Sequence, residues 1–363
     1  MSQTHFGLAA ALIVTLGLGT VASAQDVPLT PLTLINNWTG GPFETNPPSV
    51  QITDGLVQFR GAIATKGTNL NPFVLLPAFR PPTNIYVVVG TANNTRGRLL
   101  ILPNGMVEVQ GDSTSAEAFT SLDGVWFALH APVDTILTPL SGWTNAPFAT
   151  RNAAVVLVPG PLGGRIVFEG ALGGPASPNV NSILVFKLPE SMWPSRDVSL
   201  PITQCGSAQG TLLVSASSGW VTVSDVNCFV SLEGVSFLLS PPWGSGGQGN
   251  LTPKNGWAVD PSGGPGPSAQ LASGAVTFSG GIAGVEGNPL AFVLPPDLRP
   301  TGNVYVPIQW ANNPAHNARL DINPNGNVFV QGAPGTFRLD GASFRQLDKP
   351  ILAPPHPCIT VGC

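Results

Sequence analysis

The sequence predicts an all-β protein built of three tandem β-sandwich-like modules that follow a signal peptide. Three observations carry that prediction. One set of short motifs returns three times in the same order. The apolar residues inside those motifs alternate with period two, as in a strand, and no stretch shows a persuasive 3.6-residue period. Gly (43) and Pro (38) are abundant among the 363 residues and fall between the apolar runs, where they mark turns.

Residues 1–24 carry no Asp, Glu, Lys or Arg, and Phe6 to Val21 is mostly apolar. The run ends in Ala22-Ser23-Ala24, a small-x-small cleavage signal before Gln25. The n-region lacks Lys and Arg and has only His5, which departs from the usual leader. The expectation is a cleaved signal peptide over 1–24 and a secreted, periplasmic or extracellular mature chain. No later segment approaches the roughly 18 uninterrupted apolar residues of a membrane span.

The modules are expected at 32–129, 137–239 and 251–346, with a Pro-rich tail at 347–363. Each opens on a Leu-Thr pair six residues ahead of a Trp: Leu32 to Trp38, Leu137 to Trp143, Leu251 to Trp257. Trp in every copy beside apolar motifs reads as core. A strand follows, as Val57/Phe59/Gly61/Ile63, Ile166/Phe168/Gly170/Leu172 and Val276/Phe278/Gly280/Ile282. Alternation predicts one buried and one exposed face, with the Gly making room for a close neighbour such as the opening Trp.

Next comes Leu-Pro, as Leu76-Pro77, Leu188-Pro189 and Leu294-Pro295, then a strand: Ile85/Val87/Val89, Val198/Leu200/Ile202, Val304/Val306/Ile308. Pro201 and Pro307 on its other face predict a sheet edge or a bulge. A hairpin turns at Asn104-Gly105, Ser218-Gly219 or Asn325-Gly326, the middle copy having one extra residue. Leu122-Asp123-Gly124, Leu232-Glu233-Gly234 and Leu339-Asp340-Gly341 then lead into the closing strand. The linkers are 130–136 and the Pro/Gly/Ser-rich 240–250, expected to be flexible. A unit of about 100 residues can own a core, so the modules are expected to fold separately.

These motifs, in this order, resemble a repeat found in β-sandwich modules of phage tail and fibre proteins and of secreted bacterial surface proteins. The likeness rests on Asn255-Gly256-Trp257, Arg299-Pro300, Val304-Tyr305-Val306-Pro307, Pro324-Asn325-Gly326 and Leu339-Asp340-Gly341, and spans most of 32–346. The middle module departs, with Trp193 where the others have Arg80 and Arg299. The resemblance implies a structural or surface-binding role and transfers no catalytic residue.

Composition and motifs weigh against several chemistries. Only 9% of residues are charged, with net charge −4 and no basic run, so nucleic acid is not an expected partner. His5, His130, His316 and His356 form no His-x-x-x-His pair, and Cys-x-x-Cys and Gly-x-Ser-x-Gly are absent from the sequence. No catalytic residue, metal or cofactor is therefore assigned. Asp123, Glu233 and Asp340 read as turn residues ahead of Gly, since paired-acid catalysis needs two carboxyls per site. The aromatic binding candidates are the non-repeated Trp126, Trp193 and Trp220, with packing between modules as the alternative role. Asn37, Asn93 and Asn250 each begin a glycosylation sequon.

Four cysteines in an exported chain allow three pairings. Cys205 follows a strand and Cys228 precedes the closing motif of the same module. Cys358 and Cys363 flank four tail residues. The expected bonds are Cys205–Cys228 and Cys358–Cys363. Some copies of the resembling repeat carry Cys at the first two positions, which agrees. The functional expectation is a secreted, non-catalytic binding or structural protein with a glycan or cell-surface partner. The alternatives are a secreted hydrolase and a trimeric fibre-type assembly protein, the latter a homo-oligomer.

Overall fold

A computed structural model describes residues 26–129, 135–158, 164–174, 182–207, 209–224, 228–239, 249–261, 266–272, 274–284, 290–311, 317–332 and 334–346. The expected signal peptide, most of both linkers, and the tail with Cys358 and Cys363 lie outside them.

The chain is all-β, in three sandwich-like modules. The third shows the plan. One sheet orders strands Ser268–Ala272, Ala275–Ser279 and Ser343–Arg345. The other orders seven strands: Ala258–Val259, Gly281–Gly284, Gly335–Arg338, Val304–Trp310, Asn317–Ile322, Asn327–Gln331 and Leu290–Val293. The second module repeats both sheets, its first gaining Thr135–Ile136 at the edge. In the first module the large sheet splits into two three-stranded pieces joined by the isolated bridge Thr91–Thr120.

Each module owns an apolar core of alternating strand residues around one opening Trp. Trp38, Trp143 and Trp257 are all buried, as expected. The motif glycine works differently from the expectation. At Gly61 the chain leaves one sheet (Leu56–Arg60) and enters the other (Ala62–Thr65). Its φ of +87° makes that corner, and a Cβ there would lie 2.3 Å from the Asn46 carbonyl oxygen. The close neighbour is backbone, not the Trp.

The larger difference concerns the faces expected to meet solvent. Strand Leu56–Arg60 is buried at every position, as is Ala275–Ser279: Arg60 bonds Thr301 of module 3, Gln58 lines a cleft with Arg165 of module 2 and Arg345 of module 3, and Ser279 bonds Ser268 of its own module. The three modules close on one another about a pseudo-threefold axis. Strands Ile85–Gly90, Val198–Gln204 and Val304–Trp310 each lie against the other two. A cleft on the axis is lined from all three modules, by Val88, Pro201 and Pro307 among others. Pro201 and Pro307 thus sit where these strands lack ladder partners on the axial side, and only the last two residues pair beyond it, with Phe229–Ser231 and Gly335–Arg338.

The contacts run in one rotational sense. A Cβ on Gly124 would fall 2.7 Å from the Ser343 carbonyl oxygen of module 3. On Gly234 it would meet Val87 of module 1 at 2.6 Å, and on Gly341 it would meet Leu200 of module 2 at 2.8 Å. Glycine at the closing turn therefore lets the next module approach. Separate cores are thus joined by buried outer faces. The three interfaces together close a head-to-tail ring within one chain.

The disulfide Cys205–Cys228 is present, with Cα atoms 5.8 Å apart. The structure also contains one short helix that periodicity did not reveal, Ser113–Ala118, capped by the Asp112 carboxylate accepting from the Ser115 N–H.

Candidate functional site

The repeated acids do more than initiate turns. The Asp123 carboxylate accepts from the Gly61 N–H at 3.0 Å, Glu233 from Gly170 at 2.8 Å, and Asp340 from Gly280 at 3.1 Å. Each acid thereby ties the closing turn to the strand corner, two motifs that recur together because they bond to each other. Glu233 also takes a bidentate pair from Arg151, at 2.8 and 2.9 Å, and Asp340 pairs with Arg196 of module 2. Asp123 has Arg60 nearby, yet burial pushes its carboxyl up to about 7. Its other oxygen, Oδ2, is buried without a hydrogen-bond partner. All three acids are at most 3% exposed. Among the described residues no group of three or more His, Cys, Asp or Glu is placed to hold a metal ion.

The three candidate tryptophans, Trp126, Trp193 and Trp220, separate into two settings. Trp126 is buried between modules 1 and 2, in a cluster with Leu56, Ala128, Val156 and Val167. The Arg165 guanidinium of module 2 lies 4.8 Å from its ring centroid. It points away from its own core, as alternation requires, and into a neighbour rather than solvent.

Trp193 and Trp220 instead meet on the outside of module 2. The Lys187 Nζ sits 5.3 Å from the Trp193 ring and 5.1 Å from the Trp220 ring. Strand pairing puts them together: Lys187 lies opposite Trp220 in the ladder of Ser182–Lys187 with Trp220–Ser224. Trp193 is fixed from below, its indole Nε1 donating to the Leu188 carbonyl at 3.0 Å. The Arg80 Nε makes the same bond to Leu75 at 2.9 Å, and the Arg299 Nε to Leu294 at 3.0 Å. The middle module therefore keeps the donor and replaces a guanidinium by an aromatic plane. These bonds also correct the motif register, since Leu75, not Leu76, matches Leu188 and Leu294.

Trp220 remains 38% exposed, and Lys187 is exposed. The neighbouring turn supplies fixed polar groups. Ser218 Oγ donates to Ser215 Oγ at 3.0 Å, and Asp197 accepts the Ala216 N–H at 2.8 Å. The extra residue noted in this hairpin widens the turn, with Gly219 N–H bonding Ser215 rather than the residue three back as Gly105 does with Leu102. The matching outward positions elsewhere are Val74 with Met106 and Val293 with Asn327, so the aromatic platform belongs to module 2 alone. Sequence reasoning found both tryptophans but missed Lys187, whose place follows only from the strand register.

No family model, curated protein or solved structure matches this chain. Among the described residues no helix is long and apolar enough to cross a membrane.

Proposed function

We propose that this protein is an exported, non-catalytic binding protein that presents the Trp193–Lys187–Trp220 platform of module 2 to carbohydrate. The observation that carries the reading is the pairing of an exposed indole with an ammonium on a rigid hairpin. The apolar C–H face of a sugar ring stacks on such a plane, and Lys187 with the turn hydroxyls offers hydrogen bonds to its edge. Because Trp193 is hydrogen-bonded underneath, little side-chain entropy is lost on binding. A glycan or another cell-surface component is the partner class, and the extracellular setting agrees with the Cys205–Cys228 disulfide.

The burial of Asp123, Glu233 and Asp340 supports the non-catalytic part. Asp123 and Glu233 do line the axial cleft together, and that is the feature a hydrolase reading would use. Both accept from glycine N–H groups and are at most 3% exposed.

A glycan array run with the mature protein and with Trp220→Ala tests this reading. Retention on one glycan class by the wild type, lost in the variant, is the expected result. Equal retention of the two proteins, or turnover of any bound glycan, would overturn it.

A further inference from the structure

The ring has three junctions, and two of them carry the same set of side chains. At the first, Phe43 of module 1 packs edge-on with Phe119 at 5.7 Å, and Phe119 with Tyr305 of module 3 at 5.1 Å. Arg319 covers Tyr305 at 4.9 Å and bonds Asp321 at 2.6 Å. At the second, Phe148 of module 2 packs with Phe229 at 5.4 Å, and Phe229 with Tyr86 of module 1 at 5.2 Å. Arg98 covers Tyr86 at 4.7 Å and bonds Gln110 at 2.8 Å, while Gln110 donates to Glu108 at 3.1 Å.

The backbone is shaped to match. Phe43 and Phe148 have φ of +55° and +54°, a region that bulky residues rarely occupy. Their carbonyls accept from Asn303 and Asn84 of the neighbouring module, at 3.1 and 2.9 Å. That clamp accounts for the backbone but not for the rings, which are left 65% and 58% exposed.

Among the described residues the third junction has none of the set. Ser199 stands at the tyrosine position, Thr211 at the arginine position and Thr336 at the buried phenylalanine position. It still closes, with Gly341 against Leu200 and Arg196 paired with Asp340. Docking of modules therefore does not require the aromatic–arginine set, and its members are absent together. Buried Phe119 and Phe229 close these junctions against the tyrosines, and Arg98 adds a bond to the Gln204 carbonyl at 2.8 Å, whereas the Phe43 and Phe148 rings stay largely in water and are available to another partner.

We propose that these two junctions are ligand sites for pyranose units of a glycan, each assembled by two modules. The exposed phenylalanine supplies the stacking face. Beside the tyrosine, Arg319 with Asp321 at one site and Arg98 with Gln110 and Glu108 at the other supply hydrogen-bonding groups already fixed in place, as a site for vicinal hydroxyls needs. This rests on the carbohydrate reading above but on different residues, so the two can fail separately.

Tyr86 and Tyr305 are the only tyrosines in the chain, one at each site. Full-chain protein labelled with fluorotyrosine should give one fluorine resonance per site. Titration with short cello-, chito- and manno-oligosaccharides should shift both resonances saturably for one of these classes. Phe43→Ala should abolish the Tyr305 shift alone, and Phe148→Ala the Tyr86 shift alone. Since both rings are largely exposed, these variants should keep the wild-type melting temperature. Trp220→Ala should leave both shifts intact. Shifts that survive the phenylalanine changes would overturn the junction proposal while leaving the platform reading standing. No shift with any oligosaccharide, alongside retention that depends on Trp220, would do the same. No binding of any kind would remove both.

Discussion

Gly61 donates its backbone N–H to the Asp123 carboxylate at 3.0 Å, and so a residue at a strand corner holds one at a closing turn 62 positions away. Burial keeps that carboxyl protonated up to about 7, against an ordinary value of 3.8. The folded state therefore binds a proton that the unfolded chain has released at intermediate pH. The resulting stabilisation is fully present below about pH 4 and is lost as pH rises through 7. Thermal melts across that range should show declining stability, and Asp123→Asn should flatten the slope. Parallel slopes for the two proteins would contradict the assignment.

The Trp193 indole and the Arg80 and Arg299 guanidinium groups use one nitrogen each to reach an equivalent leucine carbonyl. Trp193→Arg should therefore fold with stability within about 1 kcal/mol of wild type, whereas Trp193→Ala should lose about 2 kcal/mol from the hydrogen bond and packing together. Urea denaturation of the two variants makes the comparison.

Trp126 fills the space between modules 1 and 2. Trp126→Ala should cost roughly 3–5 kcal/mol, in the range of a buried aromatic in a domain core rather than of a surface residue. A loss below about 1 kcal/mol in chemical denaturation would show the interface to be loose.

Cys205 and Cys228 are 23 positions apart, and closing a loop of that size stabilises by about 3 kcal/mol. Melting with and without reductant should show that loss, and Cys205→Ser/Cys228→Ser should reproduce it without reductant. Thiol titration of the unfolded protein should find this pair oxidised.

The parts legible in the sequence were those set within one module. Period-two alternation around Phe59, Phe168 and Phe278 placed the core strands. The six-residue spacing to Trp38, Trp143 and Trp257 placed the core tryptophans, and the positions of Cys205 and Cys228 gave their bond. What stayed hidden depends on neighbours. Gln58 and Arg60 alternate with apolar residues and so read as solvent-facing, because a pattern cannot distinguish water from the polar surface of another module. Asp123 read as a turn residue because its partner, Gly61, offers only a backbone N–H. Tyr86 and Tyr305 carried a usable signal, being the only tyrosines and occupying the same strand position.

The ring of buried faces predicts that the three modules unfold as one cooperative unit, and calorimetry of the full chain tests this most directly. One transition, with a calorimetric-to-van't Hoff enthalpy ratio near unity, is the result expected of modules that cannot lose a neighbour without exposing apolar contacts such as Trp126 against Val156 and Val167. Three separable transitions, or a ratio near three, would contradict it.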